Sequence, residues 1–215
     1  MRGGKEMDGQ LKTGVLLVSE SSNKYKVVSL LGAGGQGEVY DVELNGKHYA
    51  LKWYYKHMAT KEQKAILDNL ISKGAPDSTF LWPQDLIFNG FGESFGYIMP
   101  LRPKNYKSIV DMMKRRAEPS FFTLCRAAYN LTNGYQKLHT MGYSYRDISF
   151  GNLFFDPNNG MCSSATMTMF LRTEMMTAPC MGHHVSWHLR LFEERQNHHA
   201  IRIYILWQSC SFICL

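Results

Sequence analysis

Gly32-Ala33-Gly34-Gly35-Gln36-Gly37-Glu38-Val39 is the stretch on which the fold turns, and it lies between two runs that read as strands. Tyr25 to Leu31 leads into it, and Gly37 to Leu44 carries it on toward a third run, Lys47 to Tyr54. A G-x-G-x-x-G pattern alone says little. In its dinucleotide-binding form a strand enters the glycines and a helix leaves them. Here a strand leaves them and turns back at Asn45-Gly46, a pair suited to the two positive-φ positions of a type I′ hairpin. A strand, a glycine loop and a second strand allow backbone N–H groups to close over phosphates. The same residues also make an ordinary glycine-rich hairpin turn.

The next run, Tyr49-Ala50-Leu51-Lys52-Trp53-Tyr54, sets a lysine among apolar and aromatic neighbours. A lysine inside an apolar strand must meet an anion or give up its charge, unless its stem lies along the sheet with the ammonium in water. Thr60-Lys61-Glu62-Gln63 then forms a capping-box pattern, with the Thr hydroxyl and the Gln side chain serving free helix-end N–H groups. Ile66, Leu67, Leu70 and Ile71 supply one apolar helical face, and Gly74 suits the helix stop. Tyr97 to Leu101 reads as a strand ended by Pro103. A longer helix starts at Ser120, carries Phe121, Leu124, Ala128, Leu131, Tyr135 and Leu138 at steps of three and four, and closes at Gly142. Directly after it comes Tyr145-Arg146-Asp147-Ile148-Ser149-Phe150-Gly151-Asn152-Leu153-Phe154. An Asp and an Asn five apart on a loop can aim a carboxylate at a hydroxyl and an amide oxygen at a metal, though each alone is also a common turn residue.

In this order and at these separations, the three motifs resemble the protein kinase family. The last of them fits H-R-D-L-x-x-x-N with Tyr145 in the His place and Ile148 in the Leu place. The resemblance covers roughly Lys24 to Pro157 and implies a two-lobed α+β fold, with a complete small lobe and a truncated large lobe. It also implies roles for individual residues. Gly32, Gly34 and Gly37 cover the ATP phosphates, Val39 packs on the adenine, and Ala50 lines its pocket. Lys52 holds the α- and β-phosphates, Met99 stands at the rear of the pocket, and Leu101 lies on the passage between lobes. Asp147 accepts the proton of the substrate hydroxyl, and Asn152 ligates Mg²⁺. The implied activity is phosphoryl transfer from ATP to Ser or Thr hydroxyls of a protein substrate. Ser149 stands where Ser/Thr kinases usually carry Lys. The acidic partner expected for Lys52 on the first helix stays open between Glu62 and the Gln63 position. A small-molecule kinase and a pseudokinase that only binds nucleotide share the same ATP-site logic.

Composition limits the rest. In 215 residues, 24 Lys and Arg against 18 Asp and Glu give +6, a modest excess that needs no nucleic-acid partner. Five cysteines with no C-x-x-C pair argue against a disulfide scaffold and fit a reducing, cytoplasmic setting. The polar first residues do not resemble a secretory signal. The apolar run from Ala200 to Leu215, broken by Arg202 and Gln208, is too short to span a bilayer, so no membrane partner is indicated.

The organisation expected is a polar arm over 1–23, the small lobe over 24–101, the start of the large lobe over 102–160, and no assigned domain over 161–215. The last 55 residues hold no Asp and no Lys, a single Gly (Gly182) and a single Pro (Pro179), yet six of the 13 Met, four of the five Cys and five of the eight His. Such a segment lacks the residues that make turns. The genetic code gives a test. When each codon is read from the last base of one and the first two of the next, Met167/Thr168 and Met175/Met176 are forced to Asp, Met181/Gly182 to Gly and Trp187/His188 to Ala. The permitted line includes a segment similar to the A-P-E end of a kinase activation segment. Residues 161–215 therefore read as an out-of-frame continuation. On that reading the zinc-like cluster Cys180, His183, His184 and His188 is accidental, and no metal is assigned to it.

Overall fold

The computed structural model describes residues 9–88, 94–145, 150–164 and 170–172. Asp147 and the cluster from Cys180 to His188 lie outside them, as do nearly all of the residues read as out of frame. The described residues belong to one compact unit.

A six-stranded antiparallel sheet comes first. It comprises β1 (Leu16–Val18), β2 (Lys24–Gly34), β3 (Gly37–Leu44), β4 (Lys47–Tyr54), β5 (Asp85–Phe88) and β6 (Phe95–Pro100), in the order β1-β2-β3-β4-β6-β5. The expected hairpin is present at the expected turn, where Asn45 and Gly46 adopt φ of 52° and 77°. Alternation along the strands gives the sheet two apolar faces. Tyr40, Val42, Leu51, Trp53 and Ile98 bury one of them. Ala50, Tyr54, Tyr97 and Met99 point the other way, into a core shared with Leu67 and Leu70 of α1 (Lys61–Lys73).

Thr60 caps α1 by accepting from the Gln63 N–H, and Gly74 ends it at φ 73°. The Gln63 side chain does not complete the box; its Nε2 donates to the Tyr54 hydroxyl at 3.2 Å. The reciprocal capping box is instead built by Ser108 and Asp111 at the start of the short α2 (Ile109–Met113). In α3 (Phe121–Thr140), Ser120 caps as expected, accepting from the Thr123 N–H. Of its expected apolar face, Leu138 is buried and Leu124, Leu131 and Tyr135 are partly buried, while Phe121 is exposed; Thr123, Ala127 and Gly134 are buried as well. Small side chains win there because neighbours come close: a Cβ on Gly134 would lie 3.1 Å from the Thr79 hydroxyl.

The segment expected as a polar arm is fastened to the sheet where it is described. Gln10 N donates to Glu38, Leu11 N to the Tyr40 hydroxyl and Gly14 N to the Val27 carbonyl, each at 2.8–2.9 Å. Leu17 and Leu11 cover the outer apolar face, which would otherwise meet water.

Beyond the sheet, β7 (Lys107–Ser108), β9 (Leu153–Phe155) and β10 (Cys162–Ser164) form a three-stranded sheet. The backbones of β8 (Tyr143–Tyr145) and β11 (Phe170–Arg172) pair separately. Cys162 to Ser164, at the start of the segment read as out of frame, pair with Phe155 to Leu153, and Cys162 packs with Ala127 of α3.

Candidate functional site

The strand register brings the sequence-named residues of the sheet together. Val39 pairs with Lys52, and Lys52 with Tyr97; Asp41 pairs with Ala50, and Ala50 with Met99. Two rows of side chains therefore cross three strands on one face. They form the roof of a cleft of about 440 Å³, within the usual range for a small-molecule site. Leu31 and Gly32 of β2, Leu101 after β6, and Leu81 and Phe154 complete its lining. Of the residues named from sequence, Gly32, Val39, Ala50, Lys52, Met99 and Leu101 line this cleft.

Lys52 is the cation on the roof, and it is buried. Its Nζ donates to the Gln36 side-chain oxygen at 2.9 Å and lies 5.4 Å from the centre of the Tyr54 ring. These contacts offset part of the cost of burying a lysine head group. On α1, Gln63 faces inward to Tyr54 while Glu62 is exposed.

The glycines serve different purposes. Gly34 and Gly37 pair directly, which leaves Gly35 and Gln36 as a two-residue turn. A Cβ on Gly37 would meet the Trp53 carbonyl oxygen at 2.0 Å, so this glycine lets β3 and β4 approach and is needed for the sheet itself. Gly32 and Gly34 would place a Cβ in open space. Protein packing does not require glycine at those two positions, and the space beside them is open to a ligand.

Several cleft residues carried no sequence signal by themselves. Phe154 lines the cleft, and the Arg102 guanidinium lies 3.9 Å from its ring centre. Burial lowers the Arg102 pKa from its ordinary value, against an opposing effect of Asp111. Lys104 and Asp41 add charge to the lining, with Asp41 held by His48 at 2.7 Å. Period-two alternation would have found Asp41 from Val39 and Tyr97 from Met99. Arg102 and Lys104 lie on a connection that has no periodicity.

Asn152 is described and partly buried, close in sequence to Phe154. Asp156, the next carboxylate, accepts from Asn105 Nδ2 and, within its own turn, from the Asn158 N–H. Among the described residues no group of three or more His, Cys, Asp or Glu could hold a metal. No described helix is long and apolar enough to cross a membrane.

No family model matches the chain. It is 30% identical over 138 residues, 60% of its length, to a Caenorhabditis elegans protein whose own serine/threonine-protein kinase assignment is provisional. The chain spans 37% of that relative. In fold it is similar to vaccinia related kinase 3, with a TM-score of 0.56 at 16% identity, over 75% of this chain and 52% of the other.

Proposed function

The chain holds a protein kinase-like domain, and from that premise we propose that its cleft binds ATP. The observation that carries this reading is the gathering of Gly32, Val39, Ala50, Lys52, Met99 and Leu101 around one cavity, from strands separated in sequence. Val39, Ala50, Met99 and Phe154 offer apolar faces to a purine. Lys52 supplies the one buried cation on the roof, and the open space at Gly32 and Gly34 admits phosphates near backbone N–H groups. The reaction of the family, which we extend to this protein, is phosphoryl transfer to Ser or Thr hydroxyls of a protein in a cytoplasmic setting. In that reaction Asp147 accepts the hydroxyl proton.

Magnesium fits less well. Asn152 is the family ligand among the described residues, and residues 161–215 contain no aspartate. Mg²⁺ is usually held by one or two carboxylates together with substrate phosphates. Asp147 and Asn152 alone fall short of that set. We therefore read this chain as a nucleotide-binding fragment with little or no turnover, and residues 161–215 as an out-of-frame continuation of the large lobe.

A phosphotransfer assay with labelled ATP and a generic protein substrate tests the activity. The expected result is no Lys52-dependent transfer, together with ADP binding that survives chelation of divalent cations. Lys52-dependent turnover would overturn the reading. The nucleotide sequence around codon 160 tests the frame: a base gained or lost is expected, and an intact frame would refute that part.

A further inference from the structure

Gln36 occupies one of the two central positions of the turn between Gly34 and Gly37. Its carbonyl accepts from the Tyr55 N–H at 3.1 Å, which ties the turn down to the end of β4. Its side chain then reaches Lys52, with 2.9 Å between Oε1 and Nζ. The glycine loop and the buried lysine are thus bridged by a residue of the loop itself. A phosphate held jointly by the loop and Lys52 lies between those same two groups. The Gln36 amide oxygen and the phosphate therefore compete for the N–H of Lys52 that points toward the loop.

We propose that Gln36 is a built-in competitor for the phosphates, and that it sets how strongly this cleft distinguishes a nucleotide from its nucleoside. This inference rests on the ATP-site reading above and deepens it. Lys52 gives up a neutral amide oxygen for a charged phosphate oxygen, a stronger acceptor for an ammonium. The exchange is favourable, but it is reduced by the loss of the Gln36 contact. Adenosine fills the apolar part of the cleft beside Val39, Ala50 and Met99 and does not reach Lys52, so its binding is indifferent to Gln36. No covalent step is involved.

The test is calorimetric titration of adenosine and of ADP onto the full chain, its Gln36→Ala variant and its Gln36→Met variant. Alanine removes both the bulk and the acceptor. Methionine keeps the length without the amide oxygen, and provides a second variant should the turn not tolerate alanine. The expected result is ADP binding tightened about fivefold in both variants, the size of one modest hydrogen bond, with adenosine unchanged. Unchanged or weakened ADP binding in both variants, or equal shifts for ADP and adenosine, would overturn the role of Gln36 and leave the ATP site intact. A parent chain that binds neither ligand would overturn the ATP-site reading, and Gln36 with it.

Discussion

Gln63 in the first turn of α1 donates to the hydroxyl of Tyr54 at the end of β4, with 3.2 Å between the atoms. This contact joins the helix to the strand that carries Lys52, whose ammonium stands 5.4 Å from the Tyr54 ring centre. One link between helix and lysine therefore runs through the Gln63 amide and the Tyr54 side chain. Replacing Gln63 by Leu leaves the Thr60 cap in place, since that cap uses the backbone N–H of residue 63. The expected cost is about 1 kcal/mol in urea unfolding, the net value of one hydrogen bond. A variant as stable as the parent would show that the contact contributes nothing.

Gly37 and Gly34 separate folding from binding. Gly37→Ala forces a Cβ against the Trp53 carbonyl, with only 2.0 Å available, so β3 and β4 must part. A loss of about 3 kcal/mol is expected in the same unfolding assay. Gly34→Ala meets open space and is expected to leave the melting temperature near that of the parent while weakening ADP. The opposite ranking of the two variants would contradict this division.

Much of this was legible in the sequence, for physical reasons that differ by element. Asn45-Gly46 and the Thr60 and Ser120 caps are local chemistry, and each forms its turn or helix end where expected. The residues lining the cleft roof also followed from period-two alternation once the strands were paired. The buried stripe of α3 is legible in part: large apolar residues signal burial at Leu124, Leu131, Tyr135 and Leu138, whereas close approach by Thr79 and by the Gly160 turn selects the small residues beside them. The clasp of residues 9–18 was missed because it uses backbone N–H groups, which every sequence has. Arg102 over Phe154 joins residues 52 positions apart, a pairing that only the folded chain brings about.

The loop bearing Phe80 and Leu81 should be acid-sensitive. Asp77 is partly buried, which raises its pKa, but the Lys137 ammonium at 2.6 Å and two hydrogen bonds from Thr79 outweigh this and hold it below the usual range. A depressed carboxylate pKa adds stability above the unfolded-state value of about 4, and that stability is lost as pH falls through the lower folded value. Lys137 is nearly half exposed, so the ion pair itself contributes under about 1 kcal/mol. Urea midpoints measured from pH 6 to pH 3 are expected to fall less steeply in Asp77→Asn than in the parent. Parallel curves would exclude Asp77 as a contributor.

Cys162 should be inert. Burial pushes its thiol up to about 12, and its Sγ donates to the Ala127 carbonyl at 3.2 Å. Cys125 is exposed on α3. Brief alkylation of the native chain at pH 8, read by peptide mapping, is expected to modify Cys125 and spare Cys162. Equal labelling of the two would mean that β10 does not stay packed against α3.

The most direct test of the central claim is equilibrium titration of ATP onto the parent chain and its Lys52→Met variant. The account expects saturable binding to the parent, weakened at least about tenfold when the ammonium that meets the phosphates is lost. Equal affinity for the two chains, or no binding to the parent, would contradict it.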